Sequence, residues 1–210
     1  MTIRDVDAFV RRYARPVLKA AGYRNKGRQY MIDGPHGRQA ILEFDPEVDA
    51  YRTGVELSYG VTTPAHRQFR ESRGVPDRAW PHASYALIHA KLFSPEFART
   101  GVPGRVMPSV WVLGDQQHTA EVGAAFATAL EVEVLPRINS WFEPEVLPRD
   151  LEDPPRGAFV GLAPQARAVA VALLDVEGGE AQLERTLARL PADDMVREWI
   201  EARLETHRAS

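Results

Sequence analysis

A period-two alternation of side chains over residues 38–45 and 52–61 restricts this chain more than any other feature. Successive side chains of a β-strand point to opposite sides of the sheet, so alternation indicates strands with one buried face. The alternating positions are Ala40, Leu42 and Phe44 against Gln39, Ile41 and Glu43, then Thr53, Val55, Leu57, Tyr59 and Val61 against Arg52, Gly54, Glu56, Ser58 and Gly60. Residues 28–33, 84–92 and 109–113 are predicted as further strands of an antiparallel sheet of about five.

Two long helices are predicted to cover the apolar face of this sheet. Residues 3–21 carry apolar side chains at helical spacing, with Thr2 as the N-cap and Asp5 in the first turn. A second helix runs from about residue 115 to 142, and we expect Pro16 and Pro136 to bend the two helices. The predicted fold is α+β, with a C-terminal helical extension after the sheet and its two helices.

The last third of the chain differs from the rest in composition. Residues 143–161 are rich in proline and charge, which predicts a linker between an α+β domain of residues 1–142 and a helical extension of residues 162–210. Three helices are predicted in that extension, and they carry an apolar seam. Because three short helices cannot bury such a seam alone, we expect them to pack on the domain or on a partner.

The composition excludes several kinds of function. With 26 Lys and Arg against 29 Asp and Glu, the formal net charge of the 210 residues is −3, whereas nucleic-acid-binding domains usually carry a basic excess. The absence of cysteine excludes disulfides, thiolate metal sites and cysteine nucleophiles, and it fits a reducing cytoplasm. No signal peptide and no apolar run of the ~20 residues that span a bilayer is found, so a cytoplasmic protein without membrane contact is expected.

Motifs that carry known chemistry are not found in the sequence. It contains no phosphate-binding loop, dinucleotide fingerprint, nucleophile elbow or HExxH pair. The six histidines show no metal-ligand spacing. Neither a cofactor nor a metal site is predicted.

One constellation is predicted on the polar face, which is the side of the sheet opposite the helices. It collects Gln39, Glu43, Arg52, Glu56, Ser58, Tyr85, His89 and Lys91. Two carboxylates beside a histidine and a lysine could do general acid-base work, with Glu43, Glu56, His89 and Lys91 as the catalytic residues. The same residues could equally form cross-strand ion pairs that keep a solvated sheet face soluble.

Other candidate contact residues lie in loops. Arg24, Lys26 and Arg28 concentrate positive charge in the turn after the first helix, where they either capture an anion or form a solvated loop near a helix C-terminus. Trp80 either contacts a ligand or protein, together with Arg52 and Tyr85 of the polar face, or closes the end of the core.

The same turn carries a resemblance to a known family. An N-terminal amphipathic helix, the turn GYRNKGRQY and the strands AILEFD and TGVELSYGV resemble the domain of unknown function 4304 family over residues 5–142. The resemblance implies an α+β domain. It implies no reaction and no catalytic residues, and the tail lies outside it.

The sequence favours a protein that acts by binding, with another protein as its partner. The polar face, residues 72–84 and the helical tail are the candidate surfaces, and the tail could also join two copies of the chain. The alternative is a small-molecule enzyme that uses the acid-base residues of the polar face.

Overall fold

The computed structural model describes residues 2–48, 53–76, 80–99 and 107–208, and over these residues the chain forms one antiparallel sheet with helices. The strands are β1 (Arg24–Lys26), β2 (Gln29–Asp33), β3 (Gln39–Val48), β4 (Thr53–Thr62), β5 (Ile88–Lys91), β6 (Val110–Leu113) and β7 (Ala158–Val160). Their order is β1-β2-β3-β4-β5-β7, and β6 also pairs with β4. β6 pairs with residues 53–56 and β5 with residues 58–61, so the two follow one another along the same side of β4.

The helices comprise two long ones and five shorter ones among the described residues. The long helix α1 consists of Ile3–Phe9, Val10–Ala14 and Arg15–Ala20, and the long helix α3 consists of Gln116–Ala129, Leu130–Val134 and Leu135–Phe142. The others are α2 (Pro64–Ser72), α4 (Val146–Glu152), α5 (Gln165–Leu173), α6 (Glu180–Leu187) and α7 (Met195–Arg208). The α+β prediction is confirmed, including both long helices.

Each long helix accommodates its proline in the same way. The middle segment of each is a π-helical turn, in which the N–H of Arg15 bonds to the Val10 carbonyl and that of Leu135 to the Leu130 carbonyl. Proline has no N–H, and its ring clashes with the carbonyl one turn earlier in an α-helix. The wider turn therefore precedes Pro16 and Pro136, and both helices continue beyond them.

The core lies between the apolar face of the sheet and the two long helices. Leu42, Phe44, Val55 and Leu57 are at most 1% exposed and belong to the hydrophobic core, which Ile41 on the opposite face does not join, as the predicted parity of β3 and β4 requires. Aromatic rings join the layers: the centroid of Phe126 on α3 lies 6.1 Å from that of Phe44 and 4.9 Å from that of Trp111. The Trp141 ring stacks on Tyr59 at 5.9 Å.

A buried arginine ties the start of β3 to the end of α3. Arg38 is fully buried, and its Nη1 donates to the carbonyls of Trp141 and Phe142 at 3.1 and 2.9 Å. The last carbonyls of a helix have no intrahelical partner and carry partial negative charge, so a cation there is favourable. Burial lowers the pKa of Arg38, while Asp175 and Glu143 oppose this effect.

The predicted linker of residues 143–161 instead contains regular structure. Leu147 and Leu151 of α4 are fully buried, and β7 pairs with β5, placing Ala158 opposite Ala90. Pro148 is compatible with a helix because it lies in the first turn of α4, where an N–H needs no intrahelical partner.

The C-terminal helices pack on the rest of the chain. The Phe69 and Trp199 rings meet edge to face at 5.4 Å, and Asp175 Oδ2 accepts a hydrogen bond from the Ala65 N–H at 3.0 Å. Leu183, Leu190 and Ile200 of the apolar seam are at most 5% exposed. Among the described residues, none of the helices combines the length and the apolar character that crossing a membrane requires.

Candidate functional site

The polar face is less exposed than the alternation predicts. β4 crosses the middle of the sheet, and all ten of its residues are buried. At Gly60, an added Cβ would lie 2.7 Å from the Ala86 Cβ, so the segment before β5 packs directly on the sheet. The prediction of a half-solvated face is therefore wrong at β4, because small side chains there let a loop approach the sheet closely.

Glu43 is the most connected acid of the polar face. Its Oε1 accepts from Gln29 Nε2 at 3.0 Å and lies 2.7 Å from His82 Nδ1, while its Oε2 accepts from the Ala83 N–H at 3.2 Å. The carboxylate side chain is 13% exposed and the His82 side chain 46%. Glu43 therefore fixes the loop before β5 against β3 and holds the His82 ring by one nitrogen.

Glu43 also lines a cleft of about 470 Å³, which we name the Glu43 cleft. Its walls are Lys26, Gly27, Arg28, Gln29, Glu43, Phe44, Asp45 and Trp80. Three predicted contact residues, Lys26, Arg28 and Trp80, thus meet one predicted catalytic residue in a single depression. Two cations and two carboxylates face the same space, and the indole of the half-buried Trp80 forms one wall.

Asp45 is a member of this site that the sequence prediction omitted. Burial raises its pKa, and the neighbouring carboxylates Glu43 and Glu56 raise it further, while Arg28 and His82 act in the opposite direction. The alternation pointed to Asp45, since it is the next position after Glu43 on the same face of β3. No local pattern pointed to His82, because it comes from a loop.

Glu56 and Lys91 are engaged with each other. Lys91 Nζ lies 2.5 Å from Glu56 Oε1, and Ser109 Oγ donates to Glu56 Oε2 at 2.5 Å. The Glu56 side chain is 8% exposed and that of Lys91 38%. A buried carboxylate with a cation and a hydroxyl partner matches the cross-strand ion pair that the sequence left as the alternative role.

His89 does not join the Glu43 cleft. Its ring stacks on Phe159 at 5.4 Å, and its Nδ1 is buried without a hydrogen-bond partner. Burial lowers the pKa of His89, and Lys91 lowers it further, so the ring favours its neutral form. Of the four predicted catalytic residues, only Glu43 lines the cleft. Glu56 and Lys91 form an ion pair with each other, and the His89 ring stacks on that of Phe159.

The remaining predicted contact residues lie outside the cleft. Arg24 pairs with Asp33 at 2.9 Å on the surface of the β1–β2 hairpin. Tyr85 lies in a short turn before β5, and the Arg70 guanidinium stacks over its ring at 4.6 Å. Arg52 lies outside the described residues.

Comparison with known proteins adds no assignment to this site. Within the described residues, no group of three or more His, Asp or Glu side chains could hold a metal ion. No family model, no curated protein and no solved structure matches the chain. The resemblance to the domain of unknown function 4304 family stays a prediction.

Proposed function

We propose that this protein acts by binding an extended peptide segment of a partner protein in the Glu43 cleft. The observation that carries the proposal is the composition of that cleft, where Trp80 stands beside Lys26, Arg28, Glu43 and Asp45. A ligand with charges of both signs and an apolar group can complement all of these side chains together. A peptide supplies such groups at regular intervals along one chain.

The edge of the sheet supports an extended ligand. β1 is the edge strand beside the cleft, and among the described residues it pairs only with β2. The outer N–H and C=O groups of such a strand are available to a peptide that adds to the sheet. Tryptophan and arginine side chains are among the residue types that most often dominate protein–protein binding energy, and the cleft offers Trp80 and Arg28.

The helical tail is less suited to bind a partner than the Glu43 cleft. Most of its apolar seam is covered by the chain's own core, since Ile200 is fully buried and Leu187 is 7% exposed, whereas Met195 at the start of α7 is 42% exposed. Because three short helices cannot bury this seam alone, the sequence predicts that they pack either on the domain or on a partner. Packing against α2 and the rest of the core supplies the first of these alternatives.

A random peptide library displayed on phage tests the proposal. Peptides selected on the wild-type chain should carry both an acidic and a basic residue, and Trp80→Ala or Lys26→Glu should weaken them by about tenfold or more. Arg185→Gln and Phe97→Ala change an exposed cation and an exposed aromatic outside both the cleft and β1, and they should leave affinity unchanged. Selection of no peptide, or equal losses in the controls, would refute the proposal.

A second function is favoured by the contact between His82 and Glu43. A histidine whose Nδ1 is held by a carboxylate at 2.7 Å keeps its other ring nitrogen for proton transfer, as in general acid-base catalysis. This enzyme would use His82, Glu43 and Asp45 rather than Glu56, His89 and Lys91. A turnover found in a substrate screen should be lost in both His82→Gln and Glu43→Gln, and activity that survives either change would exclude this dyad.

A further inference from the structure

A second depression adjoins the β1–β2 hairpin and shares Gly27 and Arg28 with the Glu43 cleft. It measures about 420 Å³ and lies between α1 and the hairpin, and we name it the arginine cleft. Its lining residues are Asp7, Val10, Arg11, Arg15, Asn25, Gly27, Arg28 and Tyr30. Three guanidinium groups from two separate elements therefore face one space, against a single carboxylate.

The hydrogen-bonding capacity of these arginines is largely unused. Arg28 Nη1 is shielded from solvent and makes no hydrogen bond, although Asp7 Oδ1 lies 3.8 Å away. Within the part of the chain that the structure describes, Arg11 and Arg15 have no carboxylate at ion-pair distance. A guanidinium carries five N–H donors in a planar fork, which matches the oxygens of a phosphate or carboxylate.

The arrangement has a cost that an anion would offset. Arg11 and Arg15 are four residues apart and therefore neighbours on the same side of α1, where like charges repel one another and destabilise the helix. Arg28 adds a third positive charge from the hairpin. Tyr30 stands at the same cleft, and because burial raises its pKa, its phenol stays protonated and can donate a hydrogen bond.

We propose that the arginine cleft binds a small phosphorylated molecule, with its phosphate held by Arg11, Arg15 and Arg28. Three guanidinium groups against one carboxylate leave an excess of positive charge that a phosphate dianion would neutralise. Val10 and Tyr30 form the floor of the cleft, and both are at most 3% exposed. The volume lies in the range of small-molecule sites, which is about 300–1,000 Å³.

The structure separates the three cations of the basic turn that the sequence grouped together. Of Arg24, Lys26 and Arg28, only Arg28 lines the arginine cleft, whereas Arg24 pairs with Asp33 and Lys26 lines the Glu43 cleft. The other two cations come from α1, which lies before the turn in the sequence. Arg11 and Arg15 do not line the Glu43 cleft, so changing them tests this site separately from peptide binding.

Titration of the 15N-labelled chain with phenyl phosphate, followed by NMR, tests the site. We expect saturable shifts in residues 7–15 and 25–30, and a dissociation constant that rises by about tenfold in Arg15→Gln and in Arg11→Gln. Arg24→Gln is the matched control, since it removes an exposed arginine of the same hairpin, and it should change the dissociation constant by less than about twofold.

Four results would overturn the proposal. The first three are the absence of saturable shifts at these residues, an equal loss of affinity in Arg24→Gln, and binding by Arg11→Gln and Arg15→Gln that is as tight as that of the wild-type chain. Backbone spectra of the two variants report their folding directly. The Arg11 side chain is exposed and that of Arg15 is half-buried, so either variant can serve if the other misfolds. Tighter saturation by an RNA oligonucleotide than by phenyl phosphate would likewise reject a small-molecule site.

Discussion

Replacing Gly123 with alanine tests how closely α1 and α3 pack against each other. Gly123 is buried on α3, and a Cβ there would lie 2.5 Å from Cδ2 and Cζ of Tyr13 on α1. Overpacking of this kind costs about 1–3 kcal/mol. Alanine is also the better helix former by about 0.8–1.0 kcal/mol, so the two effects have opposite signs. We therefore expect Gly123→Ala to lower the free energy of unfolding by about 0–2 kcal/mol.

A double-mutant cycle separates these two effects. In a Tyr13→Ala background the ring is gone, and Gly123→Ala should then stabilise the chain by about 1 kcal/mol through helix propensity alone. Urea denaturation of the four proteins gives the coupling free energy, expected at about 1–3 kcal/mol. An effect of Gly123→Ala that is the same in both backgrounds would refute the close approach of the two helices.

Three further predictions concern pH, the helix α4 and the Glu43 cleft. Burial, with Arg70 and Arg67, lowers the pKa of His66 to about 3, so between pH 3 and its ordinary 6.5 only the unfolded chain takes up this proton. Stability should fall as the pH falls through this window, by about 1.4 kcal/mol per pH unit from this group, and urea denaturation of His66→Gln should show a shallower fall. Leu151→Ala should cost about 2–5 kcal/mol by the same method, whereas a cost under about 1 kcal/mol would mean that α4 is a surface linker. Asp45 has a raised pKa, so its charged form is disfavoured in the folded chain, and Asp45→Asn should raise the Tm near neutral pH; a lower Tm would contradict this.

The parts of the fold that the sequence predicted correctly are those with long local patterns. Ten-residue strands such as β3 and β4 show enough alternating positions to define both faces, and Leu42 and Leu57 are buried as expected. The two long helices have enough turns to show an apolar stripe despite their prolines. Side-chain direction in such elements follows from backbone geometry alone.

The strands that the sequence did not predict have no local pattern of their own. β1 and β7 are three residues long, too short for any alternation to be read, and each gains its strand conformation by pairing with a neighbour. The contacts within the two clefts could not be predicted from local patterns either. Glu43 was predicted from its strand, but its contact with His82 crosses 39 residues, and the contribution of Arg15 to a cleft with Arg28 depends on how α1 packs beside the hairpin.

Hydrogen–deuterium exchange with and without a peptide selected on the wild-type chain tests most directly whether the Glu43 cleft binds a peptide. Binding in the Glu43 cleft predicts added protection in β1, at the start of β2 and around residues 80–86. The edge strand should change most, because its outer amides have no partner in the sheet before the peptide adds to it. Protection confined to residues 165–208 would place the partner on the helical tail and contradict the proposed function.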